Sequence, residues 1–148
     1  MSTGASITQD PLVRAALGSW RGDGEADGRR VRVTRRWETT LFEQFLCAQM
    51  EVGGEGEEGA SFPAVAYWRP QGGGRYKVAW LDGAGSLGLY EALHESAAGR
   101  WVLTWREEDT GEQRLILSFP RKDECTEELQ VHGDLGWRSI GRFALRRG

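Results

Sequence analysis

Two histidines, two cysteines and one well-placed glutamate are the side chains in this sequence with chemistry to offer. Imidazole is the usual axial donor to haem and a common metal ligand. A zinc centre needs three or four ligands, however, and no group of His and Cys here has a suitable spacing, so no metal site is assigned. His94 shares its alternation with Gly88, Tyr90 and Ala92, opposite Leu87, Leu89 and Leu93, which predicts a ring facing solvent. His132 sits beside Gly133 and reads as a hairpin residue. Cys47 and Cys125 lie far apart with no CxxC pattern. A reduced pair in a cytoplasmic protein is the more economical reading, a disulfide the alternative. There is no G-x-S-x-G elbow, HExxH, phosphate loop or Cys–His spacing, so no catalytic residue is assigned. Glu91, on the parity of Leu89, is the best single candidate for a functional acid. A buried carboxylate there needs a partner or a raised pKa. A salt bridge to an inward Arg35 or Arg69 is the plainer explanation.

The aromatic residues form the larger pattern. Trp37, Tyr76, Trp80, Trp101, Trp105, Trp137 and Phe143 fall on the apolar parity of their segments. Trp101, Leu103 and Trp105 make one stripe, and Tyr76, Val78 and Trp80 another. Such stripes read either as a packed core or as an aromatic-lined pocket for a flat or apolar ligand. Both hold if they occupy different depths of one enclosed interior. Together with Glu91, these residues are the candidate ligand-binding set.

The elements that would position them are strands. Arg30, Arg32, Thr34 and Arg36 alternate with Val31, Val33, Arg35 and Trp37, with Arg35 breaking an otherwise apolar face. Further runs with strand character are 19–25, 29–39, 42–52, 62–69, 75–81, 86–95, 100–107, 113–121, 124–131 and 136–146, separated by turn signals such as Gly72-Gly73-Gly74, Asp82-Gly83 and Gly133-Asp134. That is a ten-stranded antiparallel meander with no helical crossover, which excludes a parallel sheet. Closure into an up-and-down barrel removes the two edges such a meander would expose. A flattened sandwich is the alternative. Ahead of the strands, Asp10-Pro11 reads as a helix cap and first helical residue, with Leu12, Ala15 and Ala16 on one side and a stop at Gly18. This short helix is expected to plug one barrel end. Residues 1–9 read as a frayed tail, and 10–148 as one domain. The loop after the third strand, made acidic by Glu51, Glu55, Glu57 and Glu58, reads as the least ordered internal segment.

Composition fits this picture. The 148 residues suit one core, and 7 Trp with 21 Gly suit large buried rings and many tight turns. A net charge of −3 argues against general nucleic-acid binding, which depends on neutralising phosphate. The arginine faces Arg30, Arg32, Arg36 and Arg138, Arg142, Arg146 read as solvated exterior. Their rival role, binding single strands, would need outward aromatics for base stacking. With no basic leader and no apolar run of about 18 residues, neither secretion nor membrane spanning is expected, and a cytoplasmic location is.

One further set of residues carries a resemblance. Gly18-Ser19-Trp20-Arg21-Gly22-Asp23-Gly24 opens the first strand, Tyr67-Trp68-Arg69-Pro70 ends the fourth, Gly88-Leu89-Tyr90-Glu91 follows, and Phe143-Ala144-Leu145-Arg146-Arg147 closes the chain. In order and spacing, over residues 11–147, this resembles the nitrobindin-like haem-binding β-barrels and equally a neighbouring family of bacterial calycin-like domains. The resemblance implies a ten-stranded barrel. In the nitrobindins it would also imply ferric haem held by one histidine of the last strand, with chemistry on nitric oxide or peroxynitrite. Here that position falls at Ser139 or Ile140, and no histidine follows His132. The expectation is therefore a barrel without a cofactor that takes a small apolar or aromatic ligand. A haem protein acting on nitrogen oxides and a filled-core interaction module are the alternatives. The oligomeric state is left open.

Overall fold

A computed structural model describes residues 7–54, 61–109 and 111–148. The expected tail up to residue 6 and residues 55–60 of the acidic loop lie outside it. Residues 7–9 are not frayed: Ile7–Gln9 form a 3-10 turn, Ile7 is buried, and its N–H donates to the Glu43 carbonyl at 3.2 Å. Helix α1 (Pro11–Ala16) follows, capped by Asp10, whose Oδ1 accepts from the Leu12 N–H at 2.8 Å. Leu12, Val13 and Ala16 point into the protein. No described helix is long and apolar enough to cross a membrane.

Ten described strands then run in order: β1 (Gly18–Ala26), β2 (Arg29–Thr40), β3 (Phe45–Gly54), β4 (Ser61–Gly72), β5 (Arg75–Asp82), β6 (Leu87–Glu95), β7 (Arg100–Glu107), β8 (Gly111–Arg121), β9 (Glu124–Gly133) and β10 (Gly136–Arg147). Each pairs antiparallel with its sequence neighbours, and β1 pairs with β10 to close the barrel. In β2, Val33, Arg35 and Trp37 are buried while Arg32, Thr34 and Arg36 are exposed, so period-two patterning turns directly into lumen and exterior. β3 starts at Phe45 rather than Phe42, because Leu41, Phe42 and Glu43 all adopt positive φ, at 53°, 57° and 62°.

The opening motif builds the seam. A Cβ on Gly22 would lie 1.9 Å from the Ala144 carbonyl oxygen, and one on Gly24 2.0 Å from that of Arg142. Only glycine lets β1 press this closely against β10. Trp20 is buried at the same end, its indole N–H donating to the Ala16 carbonyl at 2.7 Å. The Arg147 guanidinium covers its ring at 4.4 Å and donates to the carbonyls of Leu17 at 2.5 Å and Ala15 at 2.6 Å. It thereby satisfies the free carbonyls at the end of α1. The helix seals one end of the barrel.

Candidate functional site

Residues paired directly across a ladder share a face, so register assigns each side chain to the lumen or the outside. At the sealed end the lumen is solid. Trp37, Trp68 and Trp101 are at most 2% exposed and Tyr76 5%. The ring centroids of Trp68 and Trp101 are 4.9 Å apart, with Trp37 5.6 and 5.5 Å from them. Their three indole N–H groups have rings rather than acceptors around them. The Tyr76 hydroxyl donates to Asp10 Oδ2. Burial, then that hydrogen bond and the Asp10 charge, raise the phenol's pKa well above its usual value and keep it neutral. His94 Nδ1 lies 3.1 Å from Asp10 Oδ1, so the capping carboxylate also ties the plug to β6. His94 therefore faces inward, against expectation.

Midway along the lumen, Arg35 meets Glu127. Arg35 Nε donates to Oε2 at 2.7 Å and its Nη2 to Oε1 at 2.6 Å, with side chains 4% and 1% exposed. Nη2 also reaches Met50 Sδ at 2.9 Å. This forked geometry is the arrangement that best offsets the desolvation of a buried pair. Glu127, missed in the sequence, is the partner that Arg35 demands. Cys125, one register step away, has its thiol pKa pushed well up by burial and by the Glu127 charge, with Arg35 opposing. Cys47 is also raised, by burial and Glu38, with a Tyr67 hydrogen bond opposing. Both thiols are free and buried, and neither is an activated nucleophile.

Beyond that pair the same inward parity continues, but the side chains are only half-buried. Trp80, Tyr90 and Trp105, on adjacent strands β5, β6 and β7, stack in series with centroids 6.0 and 5.2 Å apart and planes inclined by 29° and 22°. A Cβ on Gly88 would come 2.7 Å from Tyr90 Cε1, so the missing side chain is what seats the tyrosine ring beside Trp80. The Trp80 indole N–H donates to Asp82 Oδ2 at 2.9 Å, while Asp82 Oδ1 accepts from the N–H groups of Ala84 and Ser86. Burial alone would raise the Asp82 pKa, but the bonds from Trp80, Ser86 and Ala84 hold it below its ordinary value. Tyr90 is raised by burial, then by the charges of Glu107 and Asp82. Val31, Val52, Leu129 and Phe143 complete a half-buried apolar wall.

The candidate residues thus divide. Trp37, Tyr76 and Trp101 belong to the solid end, and Trp80, Trp105 and Phe143 to the half-buried end. Two are misassigned. Glu91 is exposed on the outer wall beside Lys77 and Thr104, where it lines a groove of ≈ 490 Å³. The leucines of β6 had suggested the inward face, yet Val78 pairs with Tyr90 and Leu103 with Ala92, so Tyr90, Ala92 and His94 point inward. Trp137 is outside as well. The β10 register shifts between Ser139 and Gly141, so Trp137 pairs with His132, 5.0 Å away by ring centroid, and lies under Arg114 at 4.1 Å. A bulge reverses parity, and the isolated glycine Gly141 is its one local signal in the strand.

Comparison with known proteins places this geometry in a fold class. No family model and no curated protein matches the chain. Among solved structures, Rv2717c from M. tuberculosis aligns with a TM-score of 0.73 at 13% identity over 93% of this chain and 96% of its own. The S-type phycobiliprotein lyase CPES from Guillardia theta aligns with a TM-score of 0.65 at 11% identity over 98% of this chain and 94% of its own. The protein shares with these structures the fold of a closed ten-stranded antiparallel barrel.

Proposed function

We propose that the open half of the barrel binds a small apolar or aromatic molecule, with Trp80, Tyr90 and Trp105 as its contact surface. One observation carries the reading: three stacked rings on the inward parity stay only half-buried where the rings of the other half are sealed. A lumen lined by rings and aliphatic side chains, with a few fixed polar groups, is how small-molecule sites are built. The likeness to a barrel described as a phycobiliprotein lyase is compatible with a flat conjugated ligand. The nitrobindin-like relationship is proposed for the barrel alone. Haem does not fit the residues present: His94 is bound to Asp10 at the filled end, and His132 stands outside against Trp137.

Titration with a panel of flat aromatics, fatty acids and a fluorescent apolar probe tests the reading. Saturable quenching of tryptophan fluorescence is expected, weakened about tenfold in Trp105→Ala and unchanged in Trp137→Ala. Equal affinities in Trp105→Ala and the parent, or no response to any of the panel, would refute it.

A further inference from the structure

The outer wall of β4–β6 carries a face that lumenal binding does not use. Ladder pairing puts Val65, Leu81 and Leu87 in one outward row and Tyr67, Ala79 and Leu89 in the next. Leu87 and Leu89 are 77% and 76% exposed, Leu81 42% and Tyr67 39%. No charge interrupts these positions, whereas the outward residues of β2 are Arg30, Arg32, Thr34 and Arg36. A contiguous exposed apolar face of this kind marks an interaction surface. The row that borders it toward the plugged end is Arg69, Lys77 and Glu91.

We propose that this face docks a second copy of the chain about a twofold axis running along β5. Such an axis lays each β4 over the partner's β6. Tyr67 then meets the partner's Leu89, Val65 meets the partner's Leu87, and Arg69 meets the partner's Glu91, with every contact repeated by symmetry. Ala79 falls on the axis, and its small side chain lets two convex walls approach there while the larger flanking residues make contact. A twofold axis across the strands through Ala79 would instead press the row Val65, Leu81, Leu87 onto the charged row Arg69, Lys77, Glu91, and one between the two apolar rows would leave Arg69 and Glu91 without each other. The charge pattern selects the first axis, because it alone lets Arg69 and Glu91 face each other while apolar residues cover apolar ones. Lys77 nears its own copy, and each lysine stands beside a Glu91 across its ladder.

Sedimentation velocity over a concentration series tests this with the full chain. The parent should show a reversible monomer–dimer equilibrium. Leu89→Lys, at an exposed position that leaves the barrel's circular dichroism unchanged, should sediment as monomer. Leu135→Lys, equally apolar and exposed at the β9–β10 hairpin but off this face, should dimerise like the parent. Arg69→Glu and Glu91→Arg should each weaken the dimer about tenfold, and the double variant should recover parental affinity. A parent that stays monomeric, a dimer that survives Leu89→Lys, or a double variant no tighter than the singles would overturn the proposal. So would a monomer that binds phosphatidylcholine vesicles through Leu87 and Leu89, since the face would then belong to lipid. None of these substitutions touches the lumen, so the outcome is independent of the ligand-binding test.

Discussion

The two halves of the lumen are made by the same strands on the same parity, and both are aromatic. One holds Trp37, Trp68, Trp101 and Tyr76 and is solid; the other holds Trp80, Tyr90 and Trp105, whose rings are only half-buried. Ring content does not separate them. What separates them is the cover: Ile7, Leu12, Val13 and Ala16 join the core at one end, and nothing equivalent among the described residues lies over the other. The Arg35–Glu127 pair stands between the halves. An aromatic stripe therefore becomes sealed core where a plug removes water from it and stays half-buried where water remains.

Substitutions should break this contrast by differing amounts. Trp68→Ala leaves a ring-sized void among packed rings and should cost about 4 kcal/mol in urea unfolding. A loss below about 1 kcal/mol would mean the sealed end is not close-packed. Glu127→Gln strands a buried guanidinium without its counter-charge and should cost about 3 kcal/mol, while replacing both partners by apolar residues of similar size should cost less. Equal losses in the two would assign the effect to packing rather than charge.

Asp10→Ala removes the helix cap and the acceptor of Tyr76 together, for about 2 kcal/mol. It should also speed hydrogen exchange in α1 and the end of β6 without affecting Trp80 or Trp105. Trp105→Ala, at the open end, should cost only about 1 kcal/mol while reducing apolar-probe affinity. A loss as large as that of Trp68→Ala would erase the distinction between the halves. The smallest effect concerns Asp82. Its pKa is held below 3.8 in the folded chain. Its contribution to stability is therefore complete above its unfolded pKa and disappears as pH falls through the lower folded value. An NMR titration of the Asp82 carboxyl should show the depressed midpoint, returning toward 3.8 in Trp80→Phe.

Much of this was legible in the residues. Turn signals such as Gly72-Gly73-Gly74 and the alternation of β2 determine where strands begin and which side chains share a face, because a strand's period is set by its own backbone. Asp10-Pro11 determines the start of α1 for an equally local reason: a short side chain caps, and a missing N–H costs nothing in the first turn. The glycines flanking Trp20 likewise signal a close approach, although not the strand that makes it.

Alternation alone leaves open which face looks inward when both are apolar. Leu87, Leu89 and Leu93 looked like core, yet they lie outside because Tyr90 and Ala92 are in register with Val78 and Leu103. Trp137 changes sides through one extra residue in β10, and Arg35 finds Glu127 across 92 positions of sequence. Each of these depends on which strands stand next to one another once the ring closes. Side-chain spacing along a strand is local chemistry, whereas the choice of inside is a collective property of ten registers and a plug. Tertiary structure alone decided which rings are sealed and which stay half-buried.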